Sequence, residues 1–191
     1  MSTKNIILLV ALFLVLGIGA TCGLGGCKGG GDSDGGGTGF QPVGGGLTLP
    51  PDPGEAGKVT LAGIDSDGNG VRDDVQRYIA LTYPNSERTR AGLTQYAKEA
   101  QQALLDADDE ETSITNARNR QRALECLRYI LGGVDAASII REELTAEFLN
   151  TDARSRAWIV ADGQLSGQIF RGTPIAERKA QCSFDPDAME N

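Results

Sequence analysis

Apolar positions follow three regimes along the chain. From Ile6 to Ala20 they are almost continuous, reading IILLVALFLVLGIGA. From residue 28 to 46 they nearly vanish among glycines. Beyond about residue 55 they recur every three or four positions, the spacing of one face of an α-helix. Val71 to Tyr83 predicts a first helix, stopped by Pro84. Asn85 or Ser86 caps a second, Glu87 to Ala107, with Leu93, Tyr96, Ala97, Ala100 and Leu104 on one face. The run Asp108-Asp109-Glu110-Glu111 reads as a solvated turn. A third helix, Ser113 to Leu131, presents Ala117, Leu124, Leu127 and Leu131, and Gly132-Gly133 stops it. A fourth, Asp135 to Leu149, presents Ala137, Ile140, Leu144 and Phe148. Thr151 or Asp152 opens a fifth, carrying Trp158, Ala161, Leu165 and Ile169. Pro174 and the closing FDPDAMEN predict irregular chain. No alternating strand pattern and no internal repeat stand out. The expected fold is mainly α, a small bundle of four to five helices over residues 55–191.

Composition narrows the chemistry. Aromatics are 5% of the residues, so the core must be built from Leu, Ile, Val and Ala. The chain has no histidine. This excludes a Ser-His-Asp or Cys-His pair and any His-ligated zinc. Catalysis would have to rest on carboxylates, Lys, Tyr or a metal, so a non-enzymatic role is favoured. The net charge of −8 argues against a nucleic-acid partner, because such binding needs Lys and Arg to neutralise phosphates.

The first regime is expected to be an address. A basic start, Lys4, precedes the apolar run, as in a secretory signal. Two cysteines, Cys22 and Cys27, compete for its end. Leu24-Gly25-Gly26-Cys27 resembles the Leu–small–small–Cys signature of bacterial lipoproteins at every position, whereas Gly19-Ala20-Thr21-Cys22 lacks the Leu. The resemblance implies a signal peptide over residues 1–26 and lipid, palmitate included, on Cys27. An uncleaved span from Ile6 to Gly26 is the competing reading. Either way the domain is expected outside the cytoplasm, in the cell envelope. Lys28 stands where inner-membrane retention in enteric bacteria uses Asp, which points to the outer membrane.

The second regime, within residues 27–54, reads as a tether. Ten of the 19 residues from Lys28 to Gly46 are glycine. Such a stretch has too little apolar area to offset the entropy of ordering. The 24 residues from Cys27 to Pro51 would span about 25–30 Å root-mean-square. Cys126 falls in the third helix and Cys182 in the C-terminal segment, and two cysteines in an exported domain predict one disulfide.

One stretch carries specific chemistry, residues 65–76, DSDGNGVRDDVQ. Calcium is a hard cation that takes six to eight oxygens. Asp65, Asp67 and Asn69 stand at alternate positions, where side-chain oxygens converge on one point. Gly70 supplies a sharp turn, Val71 a backbone carbonyl and Asp73 a further carboxylate. Asp65-x-Asp67-x-Asn69-Gly70-x-x-Asp73 resembles the EF-hand loop, and still more the Asp-rich loops of dockerins and thrombospondin type 3 repeats. The resemblance implies one calcium site with ligands among Asp65, Asp67, Asn69, Val71, Asp73, Asp74 and Gln76. The sequence departs from it in having Gln76 where an EF-hand has a bidentate Glu, no evident entering helix and no second loop. Tight turns use the same residue types, and acids in a first helical turn are favoured by the helix dipole alone.

Two functions follow. The first is a cell-envelope lipoprotein whose calcium-stabilised helical domain has a structural or binding role toward a protein or small-molecule partner. The alternative is an envelope enzyme that uses carboxylates with calcium as cofactor. The arginines of the third helix, Arg118, Arg120, Arg122 and Arg128, suit either an anionic ligand or an exposed charged face.

Overall fold

The computed structural model describes residues 41–43 and 47–191. The expected signal segment, Cys22, Cys27 and most of the tether lie outside the described residues. Five helices make up the domain: α1 Asp73–Thr82, α2 Glu87–Leu105, α3 Glu110–Ile130, α4 Val134–Phe148 and α5 Asp152–Gly163. The fold is mainly α, as the periodicity predicts.

Three side chains set the helix starts. Ser86 accepts from the Thr89 amide, Asp109 from Thr112 and Thr151 from Arg154. Each such cap is worth about 1 kcal/mol. The Asp109 cap corrects one expectation. Helix α3 begins at Glu110, not Ser113, and Glu110 and Glu111 fill its first turn, where the helix dipole favours acids. Helix α1 also starts later than expected. Arg72 is extended (φ −58°, ψ 145°), so Val71 belongs to the loop before the helix. Helix α5 ends at Gly163, and Gly167 takes φ +80°. Ile169, expected on its buried stripe, is 88% exposed.

Helices α2 and α3 share the most extensive helix contact. They approach closely at Gly92, where a Cβ would lie 2.8 Å from Ile130 Cδ1. Around this pair the core gathers Val75 and Ile79 from α1, Leu93, Tyr96, Ala97 and Leu104 from α2, Leu127 from α3 and Leu144 and Phe148 from α4. Trp158 of α5 meets Phe148 edge-on, ring centroids 6.2 Å apart. The aliphatic core is the one the low aromatic content predicts.

Two irregular segments complete the domain. On the N-terminal side, β1 (Gln41–Val43) pairs antiparallel with β2 (Leu47–Leu49), Gln41 opposite Leu49. Leu49 is buried, and Arg77 donates to the Pro50 carbonyl at 2.7 Å. Packing therefore begins before the expected boundary at residue 55. On the C-terminal side, three short 3₁₀ turns lie at Ile175–Glu177, Lys179–Gln181 and Pro186–Ala188. Cys126 of α3 is bonded to Cys182, with the Cα atoms 4.8 Å apart, the pairing that the cysteine count predicts. Among the described residues, no helix is long and apolar enough to cross a membrane.

Candidate functional site

The loop from Asp65 to Gln76 is built by its glycines. Gly68 and Gly70 take φ +68° and +87°, the left-handed region that side chains disfavour. These two turns fold the chain back so that Asp65, Asp67, Asn69 and Gln76 meet. Asp65 accepts from the Asn69 amide at 3.2 Å and from the Gly70 amide at 2.8 Å. Asp67 accepts from the same Asn69 amide at 3.2 Å, from Asn69 Nδ2 at 2.9 Å and from Gln76 Nε2 at 3.1 Å. Asn69 Oδ1 accepts from the Val71 amide at 2.8 Å, and Gln76 Oε1 accepts from Asn69 Nδ2 at 3.0 Å. Burial pushes the Asp67 carboxyl up. The hydrogen bonds it accepts outweigh this and hold it below the usual carboxylate range.

Of the other three residues of the expected ligand set, Asp73 and Asp74 have partners outside this group, and Val71 is expected to offer only its backbone carbonyl. The Val71 side chain is buried in the core and anchors the end of the loop. Asp73 is fully buried, and its two oxygens accept from the amide (2.9 Å) and hydroxyl of Ser66. Its own amide donates to the Ile64 carbonyl at 2.8 Å, which closes the base of the loop. Asp74 belongs to a second cluster. It accepts from Arg72 Nε at 2.9 Å, Arg72 Nη2 at 3.2 Å and Asn150 Nδ2 at 2.9 Å. Burial raises the Asp74 carboxyl, and the hydrogen bonds and charge of Arg72 more than reverse this. Among the described residues, no three Asp, Glu, Cys or His side chains form a metal-holding group. The side chains that meet within the loop are two carboxylates and two amides.

The second cluster holds the segment that leads into the loop. Arg154 is fully buried and donates to the carbonyls of Gly57 (2.6 Å), Thr60 (3.1 Å) and Leu61 (3.3 Å), and to Asn150 Oδ1. Arg72 donates to the Phe148 carbonyl at 3.1 Å and lies over the Phe148 ring, 4.9 Å from its centroid. Gly63, at φ +70°, lets the backbone pass beside both arginines, and a Cβ there would fall 2.4 Å from Arg72 Cδ. Sequence reasoning missed this cluster. Its signal was Arg154 at helical spacing from Trp158 and Ala161, a charged residue on an apolar stripe.

Beside the loop lies a groove of about 620 Å³. Asn69 borders it, Lys98 and Glu99 of α2 and Asn119 and Arg122 of α3 line it, and Phe184 stands in the far wall. Gln95 fixes that wall, donating to the Gln181 carbonyl and accepting from the Ser183 amide, both at 3.0 Å. The Lys98 stem crosses Gly70, where a Cβ would meet its Cε at 3.2 Å. No sequence pattern announces this groove, because its walls come from positions more than a hundred residues apart.

The described residues thus form a five-helix domain with one Asp-rich loop and an adjoining polar groove. Comparison with protein-family models, with curated proteins and with solved structures finds no match.

Proposed function

We propose that this protein is a cell-envelope lipoprotein, anchored through Cys27, whose helical domain is stapled by one calcium ion in the Asp65–Gln76 loop and offers a binding surface without catalysis. The observation that carries the calcium reading is the convergence of Asp65 and Asp67 on the Asn69 amide. Both carboxylates are exposed, so an ion has access to them. Asn69 Nδ2 sits where Asp67 Oδ2 and Gln76 Oε1 both reach it. A cation at that point would meet hard oxygens, the donors calcium takes. The Asp73–Ser66 bonds and the Asp73–Ile64 bond support the reading from outside the ring, because they hold both ends of the loop without using the carboxylates of Asp65 and Asp67. Two carboxylates with amide donors make a weak site. Its dissociation constant should fall at about 10⁻⁴–10⁻³ M, the range of extracellular modules. Such a site stays filled by environmental calcium and stabilises the fold. The groove beside it contains one carboxylate, Glu99, and so offers no acid–base pair. This favours a binding role for that surface.

Calcium calorimetry on the full protein tests the metal assignment. One-to-one binding is expected, lost in Asp65→Ala and in Asp67→Ala and kept in Asp74→Asn. Binding that survives both loop variants would place the ion elsewhere. Membrane fractionation tests the anchor: Cys27→Ser should release the protein from membranes, and Cys22→Ser should not.

A further inference from the structure

The four arginines of α3 part company in the structure, and one of them is left in a telling place. Arg128 pairs with the buried Glu125 at 2.7 Å, Arg122 borders the groove beside the calcium loop, and Arg118 is exposed. Arg120 instead points into a separate cavity of about 170 Å³. Its guanidinium lies over the Trp158 ring, 4.4 Å from the centroid. Arg141 of α4 lines the same cavity. Among the described residues, Arg120 has no carboxylate at ion-pair distance. Arg141 has only its chain neighbour Glu142, at 3.3 Å and 71% exposed, a contact of little strength. Asp162 of α5 acts on Arg120 only at longer range. Gln121, also in the cavity wall, donates its amide to Glu125 at 3.0 Å. The remaining walls are apolar: Ala117, Leu124, Leu165 and Phe170, with the buried Tyr96 between them.

The two guanidiniums share one cavity in which, among the described residues, the only carboxylate at ion-pair distance is the exposed Glu142, so most of their N–H donors remain open to an anion. Burial and the nearby Arg141 both work against the charge on Arg120. We propose that the Arg120–Arg141 cavity is a binding site for a small carboxylic acid, its carboxylate held by the two guanidiniums and its short aliphatic body against Leu124, Leu165 and Phe170. Guanidinium presents paired N–H donors that match the two carboxylate oxygens. The apolar walls select for a hydrocarbon body over a bare oxyanion, and a volume of about 170 Å³ suits a small acid. The site is independent of the calcium loop.

Trp158 is the chain's single tryptophan, so its fluorescence reports on Arg120 directly. Butyrate titrated into the full protein at constant ionic strength should change that emission saturably, with a dissociation constant on the order of 1 mM, as suits a ligand of few atoms. Inorganic phosphate should respond at least about tenfold more weakly, because it cannot use the apolar walls. Arg141→Gln leaves the Trp158 stack alone and should weaken butyrate binding by about tenfold or more with its melting temperature unchanged. A flat titration to about 50 mM butyrate would overturn the proposal. So would phosphate binding as tightly as butyrate, or Arg141→Gln binding as well as the parent.

Discussion

The two irregular ends of the domain are fastened by opposite means. The segment from Gly54 to Ile64, which leads into the Asp-rich loop, is held largely by polar contacts. Arg154 takes three of its carbonyls, and Gln101 takes a fourth, that of Ala62, at 3.0 Å. The C-terminal tail is held covalently, through Cys126–Cys182, and that bond is reinforced by the buried Glu125. Glu125 accepts from Arg128 at 2.7 Å and from the Thr173 amide at 3.3 Å, and Arg178 Nε lies 3.0 Å from its other oxygen, paired in charge. Both ends thus turn on one buried charge that gathers irregular backbone. At one end the charge is positive and collects carbonyls. At the other it is negative and collects an amide and two guanidiniums. The comparison teaches that segments too short of apolar residues to pack by area can still be fixed by a single buried charge that gathers several polar partners.

Breaking the polar fastening should cost most. Arg154→Ala leaves the carbonyls of Gly57, Thr60 and Leu61 without their donor and should destabilise the domain by about 3–5 kcal/mol in denaturant melts. Amide exchange should then rise over the N-terminal segment and leave the tail protected. Removing the covalent fastening should cost somewhat less. Cys126→Ser with Cys182→Ser frees a loop of 56 residues and should lower stability by about 2–4 kcal/mol, with exchange rising in the tail instead. If the two variants open the same residues, the ends are not separate units. Gly63→Ala sharpens the contrast, because its Cβ would strike Arg72 without removing any donor. A loss of about 1–3 kcal/mol is expected there, read by the same melts.

The smallest effect concerns pH. Asp74 holds its proton less tightly in the fold than in the free chain. Its contribution is therefore present above the ordinary aspartate value, about 3.9, and lost as pH falls through the lower folded value. Asp74→Asn should flatten this acid limb of the stability curve, read as a smaller fall in melting temperature between about pH 5 and 2. An unchanged acid limb would mean that Arg72 gains nothing from the charged carboxylate.

Much of the fold was legible because helices declare themselves by period. The stripes of α2, α3 and α4 and the stops at Pro84 and Gly132 needed only local sequence. The start of α3 was misjudged because Asp109 is an acid within an acidic run, and its role as a cap depends on the Thr112 amide rather than on charge. The end of α5 was misjudged because Leu165 and Ile169 keep the helical spacing while Gly163 and Gly167 break the helix. In the loop, residue spacing grouped Asp65, Asp67, Asn69, Asp73, Asp74 and Gln76 as one set, and the side chains of Asp65, Asp67, Asn69 and Gln76 are linked by hydrogen bonds within the loop. Spacing could not separate Asp73 and Asp74 from these four. Adjacent residues on a first helical turn point in different directions, and their partners, Ser66 and Arg72, were not distinguished by type. The arginine clusters were invisible for a simpler reason: an arginine is ordinarily a surface residue, and only its tertiary partners reveal that Arg72 and Arg154 are buried.

The central claim is that calcium staples the Asp65–Gln76 loop, and paired thermal melts test it most directly. The full protein should melt higher in calcium than in EDTA. At ten times the dissociation constant the gain should be about 1.4 kcal/mol, or a rise of roughly 3–6 °C for a domain of this size. The gain should vanish in Asp67→Ala. Identical melts in calcium and EDTA up to about 10 mM, an order of magnitude above the expected dissociation constant, would contradict the claim and leave the loop as a turn that caps α1.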